Sequence, residues 1–285
     1  MTKDHKHYDL HSHTTCSDGV LTPQELMTRA ELRQIDALAI TDHDTTEALQ
    51  QAKDFIEEKN YKIKLINGIE ISTKWHGFEI HIVGLCIDDD DSAFSDCMAI
   101  QRNHRELRAK SISEKLEKRG ITDIYEEAKT LAGSEIISRT HFAKILVQRG
   151  IVSSFDAAFK KYLGKGKSAY VSPNWMDIDS AVKIIDRAGG ISVLAHPIRY
   201  DLSNKWLTKL VDYFASVGGQ ALEVGLSQMS PNQRTHISKL AQDRNLFSSL
   251  GSDFHGPTRW SDLGKNLKLT ESCDPVWNHP RWRFV

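Results

Sequence analysis

The amino-acid sequence predicts an α/β protein with a mainly parallel sheet. Three observations lead to this prediction: short apolar runs alternate with helical patterns, the alternation stops over one long stretch, and polar side chains follow the apolar runs. Strands that alternate with helices form βα units, and such units assemble into parallel sheets. The chain has 285 residues, of which 40% are hydrophobic and 26% are charged. This length and composition suit one large domain that carries an insertion.

Seven apolar runs are predicted to be strands, because each is short and is bounded by turn-forming or helical sequence. The fourth run follows His76 and Gly77, so it is predicted to be the return strand of a hairpin that turns at these two residues. The predicted strands cover residues 8–10, 37–40, 63–71, 79–85, 191–194, 221–224 and 247–251.

Helical patterns lie between most of these runs. The first begins with Thr22, Pro23 and Glu25, which predict an N-cap, a proline at the first helical position and a capping box. The predicted helices cover residues 23–33, 45–58, 178–188, 205–217 and 232–244.

Between residues 92 and 175, helical patterns follow one another without a convincing strand. The predicted helices cover residues 92–119, 122–131, 140–149 and 154–162. We therefore predict two parts: an α/β part formed by residues 1–91 and 176–285, and a helical insertion formed by residues 92–175.

Composition excludes several function classes. The net charge of −1 gives no overall basic field that would recruit nucleic acid. No window resembles a signal peptide or a membrane span, so a cytoplasmic protein without membrane contact is expected. The four cysteines are scattered, which indicates neither a disulfide framework nor a zinc ribbon. One segment is basic: residues 101–120 contain seven Lys or Arg and three Glu, a pattern that a solvated helix face would also show.

Histidines and carboxylates follow or occupy the predicted strands. His11 and His13 are two residues apart, and such spacing puts both side chains on one side of an extended chain. Imidazole and carboxylate groups are ligands of Zn, Mn and Fe. Taken alone, each of these residues is more often structural, and Asp18 before Gly19 suits a turn. Taken together they indicate a metal centre, with members His11, His13, Asp18, His43, Glu70, His81, His196, Asp253 and His255.

Nine donors are too many for one ion and suit two or three ions that share a carboxylate, for which Glu70 is the natural choice.

The chain resembles the PHP (polymerase and histidinol phosphatase) family over nearly its whole length. The resemblance lies in the order of the motifs that carry these donors, which are "DLHSHTTCSDG", "TDHD", "GIEIS", "HIVGL", "AHP" and "GSDFH". The resemblance implies a distorted (β/α)7 barrel, with a helical insertion, and a centre of three ions, usually Mn2+, with Fe2+ or Zn2+ as alternatives. It implies that the first ion is held by His11, His13, Glu70 and Asp253, the second by Asp18, His43 and His255, and the third by Glu70, His81 and His196.

The segments "RNHR" and "SRTHFA" of the insertion resemble one bacterial group within this family. Its members are 3′,5′-nucleotide bisphosphate phosphatases, also described as 5′→3′ exoribonucleases. The resemblance implies that nucleotide bisphosphates and short RNA 5′ ends are the binding partners, with no protein partner. Guanidinium groups pair well with phosphate, so Arg102, Arg105 and Arg139 are predicted to bind substrate. His141 is predicted to touch substrate too, although it could equally cap local structure.

The predicted reaction is attack on phosphorus by a hydroxide that bridges the metal ions and is held by Glu70, His11, His13 and Asp253. Two other functions remain open from the sequence. One is a histidinol-phosphate or other small-metabolite phosphatase, for which the arginine-bearing insertion has no obvious purpose. The other is a non-catalytic PHP module that docks to a polymerase; the complete ligand set argues against it.

Overall fold

The structure is a computed structural model that describes residues 6–259 and 261–284. Its strands form one sheet. They are β1 (Tyr8–Asp9), β2 (Ala37–Ile40), β3 (Lys64–Trp75), β4 (Phe78–Leu85), β5 (Met176–Asp177), β6 (Ile191–Leu194), β7 (Ala221–Gly225) and β8 (Phe247–Leu250).

Seven of these strands curve into a nearly closed barrel in the order β1-β2-β3-β4-β6-β7-β8, and β5 pairs with β3 outside this path. The backbone N–H of Leu10 donates to Leu250 O at 3.1 Å and joins the two ends of the path. All seven predicted strands are present, and the predicted (β/α)7 barrel class is confirmed. Of the strands in the described residues, only β5 was not predicted.

β4 departs from the parallel arrangement: it runs antiparallel to both β3 and β6. The reversal occurs at the predicted hairpin turn, where His76 has φ of 46° and Gly77 has φ of 77°. Positive φ is readily adopted by glycine, so the sequence at this turn suits a tight reversal.

Helices cover the outside of the barrel. The predicted capping box of the first helix is present, since Thr22 accepts from the Glu25 N–H and the Glu25 side chain accepts from the Thr22 N–H. The helices of this part are α1 (Pro23–Leu32), α2 (Glu47–Lys59), α7 (Ile178–Arg187), α8 (Asn204–Ser216) and α9 (Pro231–Gln242), and those between β4 and β5 are α3 (Ser92–Glu117), α4 (Ile124–Ala132), α5 (Arg139–Gln148) and α6 (Phe155–Ala158).

Helices α3 to α6 enclose a hydrophobic cluster separate from those of the barrel. Leu116, Ile124, Phe142 and Leu146 are fully buried within it. The last predicted helix of this region is only partly α-helical, because a π-helical segment, Phe159–Leu163, follows α6. Among the described residues, no helix combines the length and the apolar character needed to cross a bilayer.

The aromatic C-terminal segment packs on the barrel of its own chain. Tyr8 stacks on Trp277 with ring centroids 4.4 Å apart and meets Trp282 edge-on at 6.1 Å. Arg283 Nη2 donates to Cys86 O at 3.0 Å. The segment therefore closes the end of the barrel at which β1 begins, opposite the rim described next.

Candidate metal centre

The histidines and carboxylates that the sequence singles out gather at one rim of the barrel. Parallel strands end at the same edge of a sheet, so the residues that follow β1, β2, β6 and β8 arrive there together. β4 runs in the opposite direction, and His81 lies near its start, opposite Ser72 of β3. Glu70 reaches the same rim because β3 is long and forms an isolated bridge to His43 beside it. Although β4 is antiparallel to its neighbours, its residue His81 therefore reaches the same rim as the residues that follow the parallel strands.

Glu70 lies at the centre of this rim and is 1% exposed. Its two carboxylate oxygens face five imidazole rings. The distances are 2.9 Å to His196 Nε2, 3.0 Å to His81 Nδ1, 3.0 Å to His43 Nδ1, 3.3 Å to His11 Nε2 and 3.3 Å to His13 Nε2. A carboxylate with this many imidazole neighbours has the placement expected of a ligand shared between ions.

Asp18 and Asp253 bring the remaining candidates into the same cluster. Asp18 Oδ1 lies 3.2 Å from His255 Nε2 and 3.8 Å from His43 Nε2. Asp253 Oδ1 lies 3.2 Å from His13 Nε2 and 3.4 Å from His255 Nδ1. The structure therefore brings all nine predicted ligand residues together.

Three sets of donors among the described residues have ligand atoms within 4.8 Å of one another. The sets are His13–Asp18–His43–His255, His11–His13–Glu70 and His43–Glu70–His81. Together they contain seven of the nine predicted ligands; the other two, Asp253 and His196, contact His13 and Glu70 as described above. The sets differ from those that the resemblance implies in that His13 and His43 each belong to two of them.

The donor atoms fit a metal centre because many of them are buried and form no hydrogen bond within the described residues. Within the described chain, no hydrogen bond reaches Nε2 of His11, Nε2 of His13, Nδ1 of His43, Oδ1 of Asp18 or Oε2 of Glu70. Buried polar atoms are normally bonded, since an unpartnered one costs roughly 1–3 kcal/mol. Imidazole nitrogens and carboxylate oxygens that converge in this way are the donor set of Zn, Mn and Fe sites.

Neighbouring carboxylates hold the ligand residues in place. Glu223 on β7 accepts from His11 Nδ1 at 3.0 Å and from the backbone N–H of His196 at 2.6 Å. Such a partner fixes the tautomer of a ligand histidine and leaves Nε2 of His11 for an ion. Gly251 permits this approach, because a Cβ there would lie 2.3 Å from the His11 Cβ. Asp42 accepts from the N–H and hydroxyl of Thr14 and so fixes the loop that follows β1.

The charges of the cluster compensate one another in the absence of an ion. Burial alone would raise the pKa of Glu70, but the surrounding histidines hold it well below its usual range. Burial would lower the pKa of His255, yet Asp18 and Asp253 raise it to about 10. Burial dominates at His13 and lowers its pKa to about 3. At neutral pH, His13 is therefore ready to act as a ligand, whereas His255 must first lose a proton.

The predicted substrate arginines separate into two groups. Arg105 and Arg139 line a cavity of about 270 Å³ over the cluster. Arg102 lines neighbouring cavities instead, and its Nε lies 3.3 Å from Glu135 Oε2. Arg105 already forms an ion pair within the protein, because its Nε lies 2.6 Å from Oδ2 of the buried Asp44. Of the predicted arginines, Arg139 is thus the best placed for a ligand.

His141 is 2% exposed and caps helix α5. Its Nδ1 accepts from the Ser138 N–H at 3.1 Å, and burial lowers its pKa to about 4. Ser138 Oγ also donates to Asp18 Oδ2 at 3.2 Å, which joins this helix end to the metal cluster. The placement favours the capping role that the sequence left open for His141.

Glu79 and Arg108 were not selected from the sequence as functional residues. Glu79 on β4 accepts from Arg108 Nη2 at 2.8 Å and from Arg139 Nη2 at 3.1 Å, and all three residues line the cavity. Burial would raise the pKa of Glu79, but Arg139 and Arg108 hold it at about 2. The available signals were the two-residue spacing of Glu79 and His81 and the three-residue spacing that puts Arg108 on the same helix face as Arg102 and Arg105. Phe159 and Trp175 contribute aromatic surface to the same cavity.

The chain is similar in sequence to known proteins. The profile of the PHP domain family matches residues 9–164. The 5′-3′ exoribonuclease Rnm of Salmonella typhimurium is 48% identical over 270 residues, which cover 95% of this chain and 92% of the relative. A 3′,5′-nucleoside bisphosphate phosphatase of Chromobacterium violaceum is 38% identical over 279 residues, 97% of each chain.

A solved structure gives the same result at the level of the fold. An amidohydrolase from Chromobacterium violaceum, determined with bound sulfate and no metal, superposes with a TM-score of 0.91 at 38% identity, covering 98% of this chain and 97% of the other. The two relatives and this structure cover at least 95% of the chain, whereas the family match covers β1 to β4 and helices α3 to α6. The chain belongs to the PHP domain family.

Proposed function

We propose that this enzyme hydrolyses nucleoside 3′,5′-bisphosphates to nucleoside 5′-monophosphate and phosphate, and that it removes nucleotides from the 5′ end of short RNA in the 5′→3′ direction. One observation carries the proposal: seven of the nine metal-ligand candidates line the same cavity as the arginines Arg108 and Arg139. The relatives from Salmonella typhimurium and Chromobacterium violaceum, named for these two activities, support it. The proposed setting is RNA maturation, and the proposed partners are nucleotides and RNA.

We infer that the cluster holds three ions, with Mn2+ as the expected metal and Fe2+ or Zn2+ as alternatives. The proposed ligands of the first ion are His11, His13, Glu70 and Asp253, those of the second are Asp18, His43 and His255, and those of the third are Glu70, His81 and His196. Bound divalent ions would neutralise the phosphoryl oxygens and make water a nucleophile near neutral pH.

Side chains of the protein would orient the metal ligands and hold the substrate in place. Glu70 belongs to the first and third ligand groups and contacts His43 of the second. Glu223 fixes the orientation of His11 through its Nδ1. Arg139 and Arg108 would receive a second phosphate of the substrate, on the other side of the nucleoside from the phosphate that is attacked. Anchoring one phosphate holds the other over the ligand cluster, and such positioning converts binding energy into rate.

We also propose that the two parts of the chain have different functions. Residues 1–91 and 176–285 would form the phosphoesterase barrel, and residues 92–175 would recognise substrate. The separate hydrophobic cluster of helices α3 to α6 supports this division. So does the fact that Arg108 on α3 and Arg139 on α5 extend from these helices into the cavity.

The alternative functions account for fewer of these features. A histidinol-phosphate phosphatase acts on a substrate with a single phosphate, which leaves Arg108 and Arg139 without a ligand. A non-catalytic module has no need of a buried cluster of nine ligand candidates with unpartnered donor atoms.

The test is release of inorganic phosphate by the manganese-loaded enzyme. We expect rapid release from adenosine 3′,5′-bisphosphate, slow release from histidinol phosphate, and stepwise shortening of a 5′-phosphorylated RNA oligonucleotide. A preference for histidinol phosphate would support the small-metabolite alternative. No turnover of any phosphate ester with Mn2+, Fe2+ or Zn2+ would leave only the non-catalytic alternative.

A further inference from the structure

Every arginine that lines the cavity is paired with a carboxylate. Arg105 pairs with Asp44, and Arg199 pairs with Asp253. Arg108 and Arg139, in contrast, share the single carboxylate of Glu79. Two guanidinium groups and one carboxylate leave one uncompensated positive charge. Among the arginine pairs of the described cavity lining, this trio is therefore where an incoming anion finds the greatest attraction.

Glu79 joins two helices that belong to separate stretches of the chain. Arg108, on α3, places Nη2 and Nη1 at 2.8 and 3.3 Å from the two carboxylate oxygens. Arg139, at the start of α5, places Nη2 at 3.1 Å from Oε2. The side chain of Glu79 is only 19% exposed, so these charged contacts are partly shielded from water.

Both arginines also have contacts that do not depend on Glu79. Arg108 Nε donates to the backbone oxygen of Val171 at 3.1 Å, and its guanidinium lies over the ring of Trp175 at 5.3 Å. The guanidinium of Arg139 lies over the ring of Phe159 at 5.7 Å. Removal of the Glu79 charge would therefore leave the two guanidinium groups near their present positions. The carboxylate is more important as a competitor for these groups than as their support.

We propose that Glu79 sets the affinity of the cavity for the anchoring phosphate by competing with it for Arg108 and Arg139. The inference rests on the proposed function, in which this phosphate remains on the nucleoside 5′-monophosphate product. A pair of arginines without a counter-charge would hold the product tightly after hydrolysis. With Glu79 present, the arginines return to the carboxylate when the product leaves, which lowers the cost of release.

The test compares neutral substitutions at two carboxylates that each pair with an arginine of α3. Glu79→Gln keeps the shape of the side chain and one acceptor oxygen but removes the charge. Glu135→Gln removes the partner of Arg102, which lies outside the cavity. The measurement is the Kd of adenosine 5′-monophosphate for the manganese-loaded protein, by calorimetry, together with its Ki as a product inhibitor.

We expect Glu79→Gln to lower both constants roughly 10-fold, because hydrogen bonds between a guanidinium group and a phosphate are strong and the competing acceptor has lost its charge. Glu135→Gln should leave both constants unchanged. Glu79→Ala is a second neutral variant, and tighter binding in either Glu79 variant supports the inference. Unchanged or weaker binding in both, or equal tightening in Glu135→Gln, would overturn it.

Measurements on the wild-type enzyme distinguish failure of the proposed role of Glu79 from failure of the proposed function. If it hydrolyses adenosine 3′,5′-bisphosphate and is inhibited by the monophosphate, but the Glu79 variants bind no more tightly, only the role of Glu79 is wrong. If the wild-type enzyme neither hydrolyses the bisphosphate nor binds the monophosphate, the proposed function fails and the role of Glu79 fails with it.

Discussion

Arg105 of helix α3 lies 2.6 Å from Asp44 of the barrel, measured from Nε to Oδ2, and both side chains are buried. Asp44 also accepts from the Ser72 N–H at 2.8 Å, and it follows the ligand candidate His43 directly. The contact thus connects the helices between β4 and β5 to the loop that carries part of the metal cluster.

Removal of Arg105 should destabilise the protein. Arg105→Ala leaves the buried Asp44 carboxylate without its cation, and breaking a buried pair in this way costs about 3 kcal/mol. Arg102→Ala on the same helix is the matched control: its partner Glu135 is 79% exposed, and such surface pairs contribute less than about 1 kcal/mol. Urea unfolding measures both free energies. Equal losses in the two variants would contradict the special role of the Arg105–Asp44 pair.

Arg139 and Arg102 should differ in their effect on substrate binding. Arg139 lines the cavity over the metal cluster, whereas Arg102 lines neighbouring cavities. We expect Arg139→Ala to raise the KM for adenosine 3′,5′-bisphosphate about 10-fold or more, with metal content retained, since a charge-assisted contact to phosphate is lost. Steady-state kinetics with parallel metal analysis tests this. A larger KM increase in Arg102→Ala would favour the placement that the sequence predicted for Arg102 over the one that the structure indicates.

Metal binding should release protons. In the metal-free protein, Asp18 and Asp253 raise the pKa of His255 to about 10, so this imidazole carries a proton at pH 7. An ion that uses His255 as a ligand must displace that proton, and metal affinity should therefore increase as the pH rises toward 10. Calorimetric titration in buffers of different ionisation enthalpy counts the protons. Heats that do not depend on the buffer would show that His255 is not a ligand, and His255→Gln should release fewer protons than the wild type.

The sequence predicted the barrel and the gathering of the nine ligand candidates at one rim because both are encoded locally. Each barrel strand contains a short apolar run, and every ligand candidate except Asp18 lies in such a run or within four residues of its end, so its position at the rim follows from the direction of the strand. The strand β5 was missed because its two residues acquire their pairing only from β3. The loss of α-helical geometry at Phe159–Leu163 likewise has no local signal that we can identify.

The substrate side of the site was harder to predict, since it depends on how α3 and α5 approach the barrel. Spacing puts Arg102, Arg105 and Arg108 on one stripe of a helix, but only tertiary packing decides which of them reaches the cavity. The contacts of Glu79 with Arg108 and Arg139 span 29 and 60 residues of sequence. No local pattern reports a contact between residues so far apart. For the same reason, the capping role of His141 could be named from the sequence only as an alternative.

The central claim is that nine side chains at one rim of the barrel hold several divalent ions around Glu70. The most direct measurement is the metal content per chain, by mass spectrometry of the protein after reconstitution with Mn2+ and removal of free metal. We expect about three ions per chain in the wild type and in His236→Ala, which removes an exposed histidine of α9 that is not one of the nine ligand candidates. Glu70→Gln should lose most of the bound metal and keep an unchanged circular dichroism spectrum. A wild-type protein that retains no metal, or a Glu70→Gln variant that retains all of it, would contradict the claim.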